Sequence, residues 1–251
     1  MRRLLPRGEL DMATTMPGSS AQGRETFGDD IAGMGSFFID PQAAARRLFH
    51  KWFWIGPLII FSIVSVIASY LMMPMVQHVL EVSPIPPNVS PDQYQRSMDM
   101  GLTIQRVSMY FSPLIVAAIM ALQALVIFAT SSILALDVKF RWLFNLVAGC
   151  ALIQVLASLA SLVILKAKGE VSTMAEMRPP LGLDIFLPEG ANKYATAFLG
   201  YFSVFEIWWI AMMVLIFSAA FRVRKGKAFA AILPLIVLSI LLRIGGAAFQ
   251  K

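Results

Sequence analysis

Residues 195–221 read ATAFLGYFSVFEIWWIAMMVLIFSAAF, residues 222–227 read RVRKGK, and residues 228–249 read AFAAILPLIVLSILLRIGGAAF. At about 1.5 Å per residue, either apolar run is long enough as a helix to cross the ~30 Å hydrocarbon core of a bilayer. Neither alternates apolar with polar residues, as a strand of a membrane barrel must. Lipid offers the backbone no hydrogen-bond partners, so runs of this kind are helices. The short basic turn between them makes the pair an antiparallel hairpin.

Three more runs of the same character precede them, at 53–79, 109–136 and 142–165. The fold class expected is therefore all-α: a polytopic membrane protein built as a bundle of five transmembrane helices. Composition agrees. The chain is 58% hydrophobic and 14% charged, against about 45–50% and about 25% for a soluble domain. Its net charge of +6 would point to nucleic acid in a soluble protein. In a membrane chain basic loops account for it, and no nucleic-acid partner is expected. Residues 1–35, rich in Gly, Ser, Thr, Asp and Met and without an apolar period, read as a disordered N-terminal tail. That leaves 36–251 as the five-span membrane domain. The first twenty residues lack an apolar stretch of about 7–15 residues, so a cleaved signal peptide is not expected.

Basic residues set the orientation. Thirteen of the 21 fall before the first run, in the loop holding Lys139 and Arg141, or in the turn holding Arg222, Arg224, Lys225 and Lys227. Loops rich in Lys and Arg stay cytoplasmic, which puts the N-terminus inside and the C-terminus outside. Just before the first run, Asp40 followed by Pro41 is a helix start: Asp caps, and Pro at the first position loses no needed N–H. A helix from Pro41 places Ala45, Leu48, Phe49 and Trp52 on one face and Arg46, Arg47, His50 and Lys51 toward the other. It reads as a juxtamembrane amphipathic helix lying in the interface, its basic face turned to anionic headgroups.

Glu206 stands out because a carboxylate about ten residues inside a span is costly and normally faces protein. It lies about 18 residues before the centre of the 222–227 turn, and Arg243 about 18 after it, so helical rise puts both at one depth. An intramembrane Glu206–Arg243 ion pair is expected, either as a clamp between two helices or as an ion-coupled site. In the third run Cys150, Gln154, Ser158 and Ser161 recur on one face, a polar stripe suited to helix packing. With one cysteine no internal disulfide exists. His78 with Glu81 makes two ligands, short of a metal site, and HExxH, GxSxG, Walker A and GxGxxG are all missing from the sequence. No catalytic residue, metal or cofactor is expected.

Several short motifs bear a family likeness. Phe38-Ile39-Asp40-Pro41 is an F-x-x-P lead-in, Pro57 opens the first run, Phe205 and Trp208 form F-x-x-W in the fourth, and Arg224-Lys225-Gly226-Lys227-Ala228 is a basic-then-Ala loop. With the five-run layout over 36–249, the chain resembles the Yip domain family of Rab-interacting membrane proteins, in its bacterial-type branch. The position before F-x-x-W that is acidic in the family is Ser203 here. The D-L-Y-G-P motif of eukaryotic members, which bind prenylated Rab GTPases in vesicle trafficking, is missing. The resemblance implies a five-span protein of a bacterial cytoplasmic (inner) membrane and supplies no catalytic residue.

Two functional readings follow. The first is a non-enzymatic scaffold or adaptor that meets other membrane proteins or anionic lipids through its inner basic face. The second is a small transporter or permease subunit using Glu206. A water-filled cavity reaching Glu206 from one side favours transport; a dry bundle with a basic surface favours the scaffold.

Overall fold

The computed structural model describes residues 27–82, 89–169, 171, 173, 176, 177, 179, 181–188 and 190–248. The helices are α1 (Phe27–Ile39), α2 (Pro41–Arg47), α3 (Ile55–Val82), α4 (Pro91–Ile133), α5 (Phe140–Lys168), α6 (Lys193–Leu199), α7 (Val204–Phe221) and α8 (Lys225–Ala248), with a 3-10 turn at Leu183–Phe186 before α6. Five of them, α3, α4, α5, α7 and α8, are long and apolar enough to cross a membrane. The protein is an all-α integral membrane bundle. Among the described residues no strand forms; the nearest thing to one is a single antiparallel bridge between Gly182 and Ser203.

The helix α5 is the centre, packing against α3, α4, α7 and α1. Its buried residues run almost without a break from Asn145 to Ile153, so it reads as a helix apolar all round. The helices α3 and α4 lie at the periphery with few buried residues. A helix whose apolar side chains are left uncovered by protein is a helix solvated by lipid.

Two boundaries differ from expectation. The helix α4 is a single helix of 43 residues, about 65 Å long and roughly twice the hydrocarbon thickness. Its start at Pro91 is a complete capping box: Ser90 Oγ accepts from Gln93 N, and the Gln93 side chain accepts from Ser90 N. A stretch expected to be a loop with a short helix is thus the first part of the long helix that carries the second span. Conversely, the run at 195–221 is broken. The helix α6 stops at Leu199, and α7 starts afresh at Val204, with Ser203 Oγ accepting from Glu206 N at 3.1 Å. Gly200 allows the break. A side chain there would strike the Asp184 carboxyl and the Thr196 carbonyl.

The expected tail at 1–35 lies outside the described residues up to residue 26, and from Phe27 the chain is helical. The helices α1 and α2 form a hairpin with Asp40 at its tip, where the Asp40 carboxylate accepts from Gln42 N and Ala43 N. The hairpin enters the bundle at the end formed by the start of α5 and the α7–α8 turn. Phe37 is fully buried and stacks on Phe53 at 5.0 Å, and it lies so close to Gly149 of α5 that no Cβ fits there. The Phe38 carbonyl accepts from Trp208 Nε1 at 2.9 Å. Phe140 to Gly149 spans about 14 Å of helix and Trp208 to Phe221 about 20 Å, so the tip reaches roughly half-way through a ~30 Å hydrocarbon layer.

This corrects the expectation of a helix lying in the interface. The helix α2 is only seven residues long, buries Ala44 and Ala45, and runs along α7. Three consecutive alanines let it approach closely, as small residues do between membrane helices. Of the apolar face drawn by periodicity, Ala45 and Leu48 are buried in the protein, while Phe49 and Trp52 are left uncovered by it.

Candidate functional site

The two ends of the bundle are built differently. At the end where the hairpin enters, basic and aromatic side chains form a collar. Lys51 Nζ sits 5.0 Å from the Trp52 ring and Lys139 Nζ 5.0 Å from the Trp142 ring. Phe49 meets Trp142 edge-on, Trp142 lies against Phe221, and Trp54 against Phe144. Aromatic rings beside Lys and Arg mark the level of lipid headgroups. Arg46 shares a groove with Arg222, beside Gln42, Phe49 and Ala219. The four residues expected on one basic face are divided: Arg46 and Lys51 are exposed, Arg47 packs over Gly33 of α1, and the His50 carbonyl points inward.

That inward turn is held by Asn145. Its Nδ2 donates to the Leu48 carbonyl at 2.7 Å and to the His50 carbonyl at 2.8 Å, and the side chain is wholly buried. The end of α2 leaves carbonyls without intrahelical partners, and an amide with two donors is suited to satisfy two of them. Sequence reasoning missed Asn145. A lone amide near the start of an apolar run was the available signal.

At the opposite end a cavity of about 520 Å³ opens among α5, α6, α7 and α8, with the segment around Leu181–Asp184 over it. Its polar lining is Gln154 and Ser161 of α5, Asp184, Thr196, Ser203 and Glu206, and Arg243 of α8. Glu206 is in the first turn of α7, not deep in a span, because the span starts at Val204. Its Oε2 accepts from Gln154 Nε2 at 2.9 Å. Arg243 lines the same cavity, yet among the described residues no ion pair within 4.0 Å joins it to Glu206. Equal depth was a sound inference. The direct pair fails because the cavity separates the two and an amide of α5 holds the carboxylate.

The polar stripe also divides. Gln154 bonds across to α7, whereas Ser158 Oγ and Ser161 Oγ donate to the carbonyls of Gln154 and Ala157 within α5, the usual in-helix use of serine. Cys150 is buried in the core. Of the two adjacent tryptophans, Trp209 is core and Trp208 bonds the hairpin tip.

Fold and site together define a polytopic, all-α membrane protein with a hairpin seated in one end and a polar cavity in the other. The model of the Yip1 domain matches residues 34–245, and the chain belongs to that family. The match begins inside α1 and ends within α8, so it takes in most of the hairpin and all of the cavity lining except Gly246 and Ala247. No curated protein and no solved structure matches the chain.

Proposed function

We propose that this protein is a non-enzymatic membrane scaffold that gathers partner proteins and anionic lipids at its basic collar. The observation that carries the reading is the dry core between the two ends. Leu146, Ile153, Met213, Ile216, Phe217, Ile232 and their neighbours are buried in one apolar cluster, and none of these six lines the cavity. The seated hairpin supports the same reading, because it fixes Arg46 beside Arg222 instead of leaving basic residues on a loose tail. The setting that fits is a bacterial cytoplasmic membrane, with collar and N-terminus on the cytoplasmic side.

Cross-linking in native membranes tests this, using the full chain and a variant with Arg46→Gln, Lys51→Gln, Arg224→Gln and Lys225→Gln. Discrete partners captured by the first and lost by the second are expected. Recovery of the protein alone from both would sink the scaffold. A second reading, a transporter subunit, draws on the cavity reaching Glu206 from one side. Solute movement in proteoliposomes that Glu206→Gln abolishes would establish it over the first.

A further inference from the structure

The cavity end holds charges of both signs whose bonding capacity is not used up. Gln154 engages Oε2 of Glu206, and among the described residues Oε1 accepts no hydrogen bond. The Arg243 guanidinium is exposed on the wall formed by α8, with no carboxylate oxygen within 4.0 Å among the described residues. Asp184 brings a second carboxylate from the covering segment. Next to the cavity, the buried Tyr201 hydroxyl faces Glu206, Ser239 and Arg243. Tyr201 is the buried member of the set; Asp184 and Glu206 are half-buried and Arg243 is exposed, so the charged groups stay open to a ligand entering the cavity.

We propose that the cavity binds a zwitterion of headgroup size, its primary ammonium at Glu206 and Asp184 and its phosphate or carboxylate at Arg243. An anion alone would sit between two carboxylates, and a cation alone would face the guanidinium. A ligand carrying both charges meets each with its opposite. The volume of about 520 Å³ lies within the roughly 300–1,000 Å³ of small-molecule sites. A primary ammonium has N–H donors for Glu206 Oε1, and charge-assisted bonds of that kind are the strong ones. A trimethylammonium has none. Its usual receptor is a cage of aromatic rings, and among the described residues no aromatic side chain lines this cavity. The ethanolamine headgroup of a phospholipid and free phosphoethanolamine share the required chemistry.

The test is calorimetric titration of the full chain in detergent micelles. The probes are dihexanoyl phosphatidylethanolamine, the matching phosphatidylcholine and phosphatidylglycerol, and free phosphoethanolamine. Saturable binding of an ethanolamine probe is expected, with choline and glycerol lipids weaker by about tenfold or more, the worth of one charge-assisted hydrogen bond. Binding of the lipid but not of free phosphoethanolamine assigns the site to membrane lipid; equal binding of both assigns it to the soluble compound. Arg243→Gln and Glu206→Gln each weaken binding by a similar factor. Gly246→Leu is the variant that keeps every charge. Gly246 lines the cavity, and an added Cβ there meets nothing within 4 Å, so the side chain fills the space without disturbing the fold. Three results overturn the proposal: no ethanolamine probe binds, phosphatidylglycerol binds as tightly, or Gly246→Leu retains full affinity.

Discussion

Replacing Asn145 with Leu keeps the volume roughly constant and removes two donors. Two carbonyls, of Leu48 and His50, lose bonds of 2.7 and 2.8 Å at a level water reaches poorly. Interhelical hydrogen bonds in membrane proteins average about 0.6 kcal/mol and reach about 1.7, so two give roughly 1–3 kcal/mol. Orphaned acceptors push toward the upper half, since an unsatisfied buried group costs about 1–3 kcal/mol by itself. A central figure of about 2 kcal/mol is a change of roughly thirtyfold in the opening equilibrium, at 1.36 kcal/mol per factor of ten. The protein carries its own reporter: Cys150 is the single cysteine and is fully buried. In micelles a fluorogenic maleimide reacts with it only when the structure opens. Where closing outpaces reaction, the rate follows the open population, so Asn145→Leu speeds labelling about thirtyfold. Asn145→Asp keeps the shape but turns acceptors toward acceptors, and speeds it further. If Asn145→Leu labels at the wild-type rate, the amide does not hold the hairpin and the account of its seating is wrong.

Gly149→Leu pushes into the Phe37 ring and drives the hairpin from its seat; hydrogen exchange over residues 33–50 rises while the α7–α8 pair stays protected. Trp208→Phe removes one bond to the Phe38 carbonyl and costs about 0.5–1.5 kcal/mol, read as a Cys150 reaction faster by about twofold to about thirteenfold. Ala135, with φ of 53°, sits in the left-handed region between α4 and α5, where a non-glycine residue is disfavoured by about 1–2 kcal/mol; Ala135→Gly therefore raises the thermal midpoint in micelles.

The bundle was legible because the rule behind it is nearly absolute. Runs such as 142–165 must be helices wherever lipid surrounds them, and Pro41 and Ser90-Pro91 announced helix starts that the structure has. Depth was legible where a short turn fixed the register, which is why Glu206 and Arg243 do share a level. What could not be read was which polar groups would meet. Asn145 finds a carbonyl 97 residues away, and no periodicity encodes that distance. The hairpin was hidden for a related reason. The spacing of apolar residues marks one face of 41–52 as apolar, but helix packing and interface burial satisfy that face equally. The run of small residues Ala43-Ala44-Ala45 was the one sign that protein, not lipid, would cover it. The break at Gly200–Ser203 was masked because the residues around it are apolar enough to extend a span on composition alone.

The helices α5 and α7 tie these features into one piece. From α5, Asn145 reaches to the hairpin and Gln154 to Glu206. From α7, Trp208 reaches to the hairpin and Glu206 to Gln154. On α5 the two contacts lie nine residues, about 14 Å, apart, whereas on α7 they lie two residues, about 3 Å, apart, so the hairpin tip comes close to the level of Glu206. On the collar side of Trp208 and Gln154 lie Met213, Ile216 and Ile153 with no exposed surface, and close-packed apolar layers resist continuous deformation. A pore would need polar side chains across that layer. Among the described residues the buried side-chain polar groups include Ser62, Ser131, Asn145 and the Tyr201 hydroxyl, and none of these residues lines the cavity. The arrangement is that of a packed spine with a basic collar at one end and a small polar cavity at the other. Such a body presents two surfaces to two different neighbours, and a scaffold requires that of its fold more than a carrier does.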